Sequence, residues 1–291
     1  MHPPTTIPPE QTTALPDHTQ LPDRDGSIVE NAQEHPQSNL LTDCLLPRLR
    51  EIHPDEQFFV GCDVGIYWRY TEPVLDGCKA PDWYYVPNVP PMLEGKFRRS
   101  YVLWREPVKP LILIEYVSKD GSEEHDATPY KGKFWVYEQA VCAPYYAIFD
   151  AAKTSLEVYR LEAGRYQPQP ANAAGRFPIE ALRIELGLWE GRYRTMTGPW
   201  LRVWDADTGQ MILLSEERAE AAEGIIDETR QLLNEETERA EAERKRADEE
   251  KRRAEDEKRR ADSVQMTLTE TQERLQKLAE KLRAQGIDPE A

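Results

Sequence analysis

The sequence has no long hydrophobic run and few cysteines. No stretch of its 291 residues approaches the apolar length that a bilayer requires, and residues 1–40 lack the apolar core of a signal peptide. We therefore expect neither a membrane span nor a signal peptide. The four cysteines include no Cys-x-x-Cys pair, which favours a reducing compartment, the cytoplasm, over a disulfide framework.

The sequence also has fewer basic than acidic residues. Lysine and arginine together number 37, against 53 aspartates and glutamates, which gives a net charge of −16. This charge argues against a protein that coats nucleic acid through bulk positive potential. It leaves open an enzyme that meets DNA through a bound metal ion and a local basic patch.

Several catalytic signatures are missing. The five histidines are scattered and have neither the His-Glu-x-x-His nor the His-Cys spacing of a zinc site. The chain contains no Gly-x-Ser-x-Gly elbow, no Walker loop and no Gly-x-Gly-x-x-Gly turn. These absences argue against zinc chemistry, an activated serine and a glycine-rich nucleotide site.

Composition divides the chain into four segments. With 39% hydrophobic and 31% charged residues, the whole chain is too polar for a single globule. Residues 1–37, rich in Pro, Thr and Gln, predict a disordered tail, whereas residues 38–214 contain most of the apolar and aromatic side chains and predict a folded domain. Residues 215–285 consist mainly of Glu, Arg, Lys and Ala and predict a long charged helix, and residues 286–291 predict a disordered C-terminus.

The predicted helix carries a heptad repeat in which one position is always apolar. That position is occupied by Ile226, Leu233, Ala240, Ala247, Ala254, Ala261, Leu268, Leu275 and Leu282. In the middle of the helix the second seam position is polar or charged, so the pattern fits either a coiled coil or a single solvated helix. Both seam positions become apolar between Val264 and Leu282. Any self-association or contact with a partner protein is expected there.

The folded segment alternates predicted helices and strands. The predicted helices cover residues 40–52 and 128–141, the second starting at Thr128-Pro129. The predicted strands cover residues 58–70, 83–89, 111–118, 145–149, 156–161, 201–204 and 211–214. A turn at Asp207-Thr208-Gly209 joins the last two, which are expected to extend the same sheet. The order predicts an α/β or α+β fold about a central mixed sheet flanked by helices.

Glu115 is the first candidate for chemistry. It lies within the run Leu111-Ile-Leu-Ile-Glu-Tyr-Val117, on the face of the strand that also carries Leu113. A carboxylate among aliphatic side chains is costly unless a cation, a metal ion or a proton neutralises it. A structural salt bridge, or an edge strand whose acid reaches water, is the alternative explanation.

Two more candidates accompany Glu115. Asp82 follows Pro81 at the start of a strand; alone it reads as a turn former, but beside Glu115 it could be the second carboxylate of a hard-cation site. Lys133 and Tyr137 stand four residues apart, on one helix face. A lysine on such a face is often solvated, but directed at two carboxylates it could orient or deprotonate a water molecule.

Four segments resemble the Uma-type restriction endonuclease domain, a family of the PD-(D/E)XK nuclease superfamily. They are residues 80–83, 112–118, 132–138 and 144–150, and the resemblance extends over about residues 39–214. It implies a restriction-endonuclease-like core, and the superfamily's chemistry is hydrolysis of a phosphodiester with Mg²⁺ (or Mn²⁺). It also implies that an appended charged helix is common.

The resemblance assigns roles residue by residue. Asp82 and Glu115 match the two acidic elements that bind the metal. Two positions after Glu115, where the superfamily usually has lysine, this chain has Val117, and Lys133 matches the lysine that the family places on the following helix. Asp63 matches a further acidic position.

A metal-dependent endonuclease acting on DNA is therefore the expected function. A catalytically silent nuclease fold that serves as an adaptor through its helical tail is the main alternative. A nuclease that acts on RNA is a third possibility.

Overall fold

The structure is a computed structural model that describes residues 15–22 and 32–285. The chain divides into two compact units, residues 1–218 and 219–291. Among the described residues, no helix combines the length and the hydrophobicity that crossing a membrane demands.

A six-stranded mixed sheet organises the first unit. Its strands are β1 (Phe58–Gly61), β4 (Trp83–Pro87), β6 (Ile112–Tyr116), β7 (Tyr145–Asp150), β8 (Ser155–Glu162) and β9 (Arg165–Pro168), in that spatial order. β6 and β7 run parallel, and every other neighbouring pair is antiparallel. Every residue of β6 and β7 is buried, as expected for central strands whose sequence is a continuous apolar run.

The parallel pairing of β6 and β7 requires a crossover connection. It contains α2, which starts as an α-helix at Lys133–Trp135 and continues as a π-helix over Val136–Val141. The helix was predicted to start at Thr128, but the backbone N–H groups of Lys131 and Gly132 both donate to the Thr128 carbonyl in a turn that precedes it. The turn shifts the helix start to Lys133.

The two faces of the sheet bury separate apolar clusters. One face packs against the helix α1 (Glu34–Ile52) through Leu41, Leu45 and Leu49. The opposite face packs against α2, where Val136 and Tyr137 are wholly buried. Glu115 and Leu113 alternate with residues of the first cluster and therefore point toward α2.

α1 starts at Glu34, earlier than the start at residue 40 that the sequence predicts. The cause is a tertiary hydrogen bond pair: the Gln37 amide donates to the Leu201 carbonyl and accepts from the Leu201 N–H, both at 2.9 Å. In the sequence, Gln37 looks like part of the polar tail, because its hydrogen-bond partner lies far away in the chain.

The C-terminal part of the first unit forms a sheet of its own. Its strands are β10 (Phe177–Ile179), β11 (Ile184–Tyr193) and β12 (Met196–Asp205). A third, smaller sheet contains three strands of two residues each: β2 (Ile66–Tyr67), β3 (Cys78–Lys79) and β5 (Tyr101–Val102). The prediction that residues 201–204 and 211–214 extend the central sheet is therefore wrong. Residues 201–204 belong to β12, and Met211 forms only an isolated bridge with Trp204.

Residues 15–22 are packed, although they lie in the segment predicted as a disordered tail. Leu21 is buried beside Tyr67 and Val102. The Tyr67 hydroxyl donates to the Pro22 carbonyl at 3.0 Å, and the Trp104 indole donates to the Pro16 carbonyl at 3.1 Å. The rest of that prediction, residues 1–14 and 23–31, and the predicted disorder at residues 286–291 lie outside the described residues.

The predicted long helix is present as α3, Ser215–Ala284. Its first turn belongs to the first unit, where Asp43 accepts hydrogen bonds from the Ser215 N–H and hydroxyl at 2.8 and 2.9 Å. The buried Arg202 guanidinium pairs with Glu217 at 2.7 Å. None of the described α3 side chains is buried. The α+β fold class with a central mixed sheet and a long C-terminal helix is thus confirmed.

Truncating the chain after Glu235 is expected to leave the first unit folded, because the helix beyond that point buries no side chain. The melting temperature of the shortened protein, followed by circular dichroism at 222 nm and by tryptophan fluorescence, should match that of the full chain. A shift of several degrees would show that the removed residues support the core.

Candidate active site

Asp82, directly before β4, faces Glu115 on the neighbouring strand β6. The register of β4 and β6 pairs Trp83 with Ile114, so the next step of the antiparallel ladder brings residue 82 opposite residue 115. Facing residues in an antiparallel pair project from the same side of the sheet. The Tyr116 N–H also donates to Asp82 Oδ2 at 2.5 Å, which fixes this carboxylate at the end of β6.

Glu115 is wholly buried and both of its oxygens have partners. The Tyr137 hydroxyl donates to Oε1 at 2.5 Å, and the Lys133 ammonium donates to Oε2 at 3.0 Å. The spacing of four residues on α2 is what lets both groups reach one carboxylate. Burial raises the pKa of Glu115, against the opposing effects of the Lys133 charge and the Tyr137 hydrogen bond.

Lys133 lies among three carboxylates. Its Nζ atom is 3.0 Å from Glu115, 3.4 Å from Glu124 and 3.7 Å from Glu123. Burial acts to lower the pKa of Lys133, but the charges of Glu115 and Asp82 outweigh it and raise that pKa. The ammonium form of Lys133 is therefore favoured, and it donates hydrogen bonds to Glu115 and Glu124.

The surroundings of Asp82 disfavour its charged form. Its pKa is raised well above the usual range, first because of burial and then because of the Glu115 charge. Asp63 raises it further, while the Tyr116 N–H and Lys133 lower it. One ammonium thus faces several carboxylates, and the site holds an excess of negative charge.

The excess charge and the oxygen donors suit a hard divalent cation. Mg²⁺ characteristically binds through one or two carboxylates and retains several waters. Asp82 and Glu115 are the candidates for these two carboxylates. Within residues 15–22 and 32–285, no group of three or more His, Cys, Asp or Glu side chains is placed to hold a metal ion. A cation held by Asp82 and Glu115 alone would keep much of its water shell.

Asp63 lies close to Asp82. Its backbone N–H donates to the Pro81 carbonyl at 3.2 Å, and its φ angle of 52° places it in the left-handed region. His35 Nδ1 lies 3.9 Å from Asp63 Oδ2. The structure thus groups Lys133 and Tyr137 around Glu115 with Asp82 beside it, while Asp63 adjoins Asp82 through the backbone bond to Pro81.

Sequence reasoning missed three neighbours of these residues. His35 and Ser38 lie on the early turns of α1, and Ser38 Oγ is 3.2 Å from both the Asp82 carbonyl and the Tyr116 hydroxyl. Glu124 is buried, and its carbonyl accepts a hydrogen bond from the Tyr146 hydroxyl at 3.0 Å. No local pattern identifies these residues, since each acquires its place from a distant part of the chain.

Replacing Lys133 with Met is expected to destabilise the protein by about 2–3 kcal/mol, because it leaves Glu115 buried without its cation. Uptake of a proton by Glu115 limits the loss. The double variant Lys133→Met/Glu115→Gln should recover part of it, which urea unfolding measures.

Lys153→Met is the matched control, because the lysine in its pair with Asp150 is 63% exposed. It should change stability by no more than about 0.5 kcal/mol. Equal losses of stability in the two lysine variants would show that the Glu115–Lys133 pair contributes no more than an exposed ion pair.

Comparison with known families identifies the domain. The model of the Uma2 family, which carries the description "Putative restriction endonuclease", matches residues 9–197, well over half of the 291-residue chain. No curated protein matches the chain. The family match confirms the resemblance drawn from the four sequence segments. The chain therefore belongs to the Uma2 family.

Proposed function

We propose that residues 38–214 form a metal-dependent endonuclease that hydrolyses phosphodiester bonds of DNA. The restriction endonuclease family supports nuclease chemistry. The observation that carries the proposal is the facing pair of Asp82 and Glu115, with the Lys133 ammonium 3.0 Å from Glu115. A charge arrangement of this kind is costly for folding, so its presence points to chemistry.

Asp82 and Glu115 are the proposed ligands of Mg²⁺ or Mn²⁺. When bound, such an ion supplies Lewis acidity toward the phosphoryl group and a water molecule of lowered pKa. The Tyr116 N–H orients the Asp82 carboxylate, and the Tyr137 hydroxyl orients that of Glu115. Both carboxylates are thereby held in place before any ligand arrives.

Lys133 is the proposed electrostatic group of the reaction. Because its raised pKa keeps it protonated, it acts by donating to negative charge that develops on the phosphate, and not as a general base. Asp63 is a secondary candidate, an additional acid near Asp82. Tyr137 is a positioning residue, since it contacts Glu115.

DNA is the proposed substrate, and the cytoplasm is the proposed compartment. All four cysteines lie among the described residues and none of them forms a disulfide, in keeping with a reducing environment. With a net charge of −16, the protein is expected to bind DNA weakly without divalent metal and with strong salt dependence.

Glu115→Gln is expected to abolish Mg²⁺-dependent cleavage, lowering the rate by roughly a hundredfold or more, because the amide keeps the shape but loses the charge. Plasmid DNA and RNA of the same sequence, each incubated with and without a chelator, provide the assay. Glu162→Gln, at a side chain that is 60% exposed, is the control and should cleave as wild type does.

The outcome separates the candidate functions. Cleavage by Glu115→Gln at the wild-type rate would contradict the assignment of the site. Metal-dependent cleavage of RNA alone would favour the RNA-directed alternative. A folded wild-type protein that cleaves neither polymer would favour the adaptor.

Exposed leucines on the second unit favour a role of this helix in protein–protein association. Leu268, Leu275 and Leu278 are each at least half exposed on α3. Exposed leucines at seam positions are typical of a coiled coil. We expect them to pair this helix with a second copy or with a partner protein between Val264 and Leu282.

Substituting both Leu268 and Leu275 with Asn is expected to lower the molar mass measured by light scattering, because polar seam residues weaken helix pairing. Leu232→Asn is the control, since Leu232 is 60% exposed but lies beside the seam position Leu233. An unchanged mass in the double variant would rule out self-association through this end.

A further inference from the structure

A partly exposed aromatic patch adjoins the chain segment that carries Lys133. It consists of Trp68, Arg69, Tyr130 and Trp135, and we call it the aromatic patch. The ring centroids of Tyr130 and Trp135 are 4.5 Å apart, and those of Trp68 and Tyr130 are 6.5 Å apart with the planes inclined by 23°. The Arg69 guanidinium lies 4.2 Å from the Trp68 ring centroid and 5.1 Å from that of Tyr130.

Tyr130 is held in an unfavourable backbone conformation. Its φ angle is 65°, a left-handed value that is uncommon for a bulky side chain and stores strain. Burial does not offset this strain, because Tyr130 is 49% exposed. The half-exposed ring is therefore available to a ligand.

The loop around Tyr130 is closely packed and hydrogen-bonded. Gly132 has no room for a side chain, since a Cβ there would lie 1.9 Å from the Asp126 carbonyl oxygen. The Asp126 carboxylate itself accepts from the Thr128 N–H at 2.8 Å, and Arg69 donates to the Tyr130 carbonyl at 3.3 Å. These contacts favour one position of the Tyr130 backbone, which lowers the entropy cost of binding a ligand there.

The patch combines aromatic rings with a positive charge. The Arg69 guanidinium lies over the rings of both Trp68 and Tyr130. A ligand that carries a flat ring next to a negative charge, as a nucleotide does, matches this combination.

The patch and the candidate active site share one short segment. Tyr130 precedes Lys133 by three residues and Trp135 follows it by two, while Lys133 reaches Glu115. Lys131, between the two, is exposed. Three residues of chain span at most about 11 Å, so a polynucleotide that meets the candidate active site at Lys133 passes close to Tyr130.

We propose that the aromatic patch stacks an unpaired nucleobase of the substrate, so that the enzyme favours single-stranded or locally opened nucleic acid. This inference rests on the proposed nuclease function. Bases in an intact duplex have both faces covered by their neighbours, whereas an unpaired base can lie on an aromatic ring beside an arginine. DNA and RNA share this chemistry, and the test includes both.

The test measures binding without cleavage. Fluorescence anisotropy of labelled single-stranded DNA, single-stranded RNA and duplex DNA is recorded with the full chain in metal-free buffer at low salt. Tyr130→Ala should weaken single-strand binding by about 5- to 150-fold, the effect of losing one stacked base. Duplex binding should change by less than about twofold.

Three further variants make the result specific. Tyr130→Gly removes the ring without backbone strain, so it should fold at least as well as wild type and bind as weakly as Tyr130→Ala. Tyr130→Phe keeps the ring and should restore affinity. Phe97→Ala removes an aromatic side chain that is 82% exposed elsewhere, and it should have no effect.

The results distinguish this inference from the proposed function. Unchanged single-strand affinity in both Tyr130→Ala and Tyr130→Gly, or an equal loss for duplex, would overturn the stacking role even if Mg²⁺-dependent cleavage is observed. Ring-dependent binding without any cleavage would support the stacking role and overturn the nuclease assignment. Preferential loss of RNA or of DNA binding identifies which polymer supplies the base.

Discussion

The buried ion pair of Glu115 and Lys133 is the interaction on which the arrangement of the domain depends. A carboxylate on the central strand of a sheet cannot remain charged without a partner, and the partner comes from α2, in the crossover that follows. The Tyr137 hydroxyl satisfies the second oxygen. The position of α2 over the sheet is therefore set by apolar packing and by this pair together.

The cation that neutralises Glu115 comes from a different element of the fold. Val117, two positions after Glu115, is part of the apolar cluster under α2 and carries no charge. The ammonium of Lys133 reaches the carboxylate from α2, 18 residues away in the sequence. The need of one buried acid is thus met by the crossover and not by its own strand.

The sequence allowed the central strands to be predicted and singled out Glu115, Lys133 and Tyr137 as candidates, for a physical reason. A single acid inside the apolar run of β6 is conspicuous, and the spacing of Lys133 and Tyr137 is local to one helix. The start of α1 was not predictable, because Gln37 is ordered by Leu201, and Glu124 is placed by Tyr146. In β11, alternation of Ile184, Leu186 and Leu188 was a usable signal, although Gly187 and Gly191 weaken its strand propensity.

The parallel pairing of β6 with β7 bears on the order in which the domain folds. The two strands can meet only after the chain between residues 117 and 144 has closed on itself, and such non-local pairing is slow. Glu123, Glu124 and Lys133 all lie in that segment. Glu115 is therefore paired with its cation only once this crossover has closed, so closure of the connection and neutralisation of the buried acid are one event.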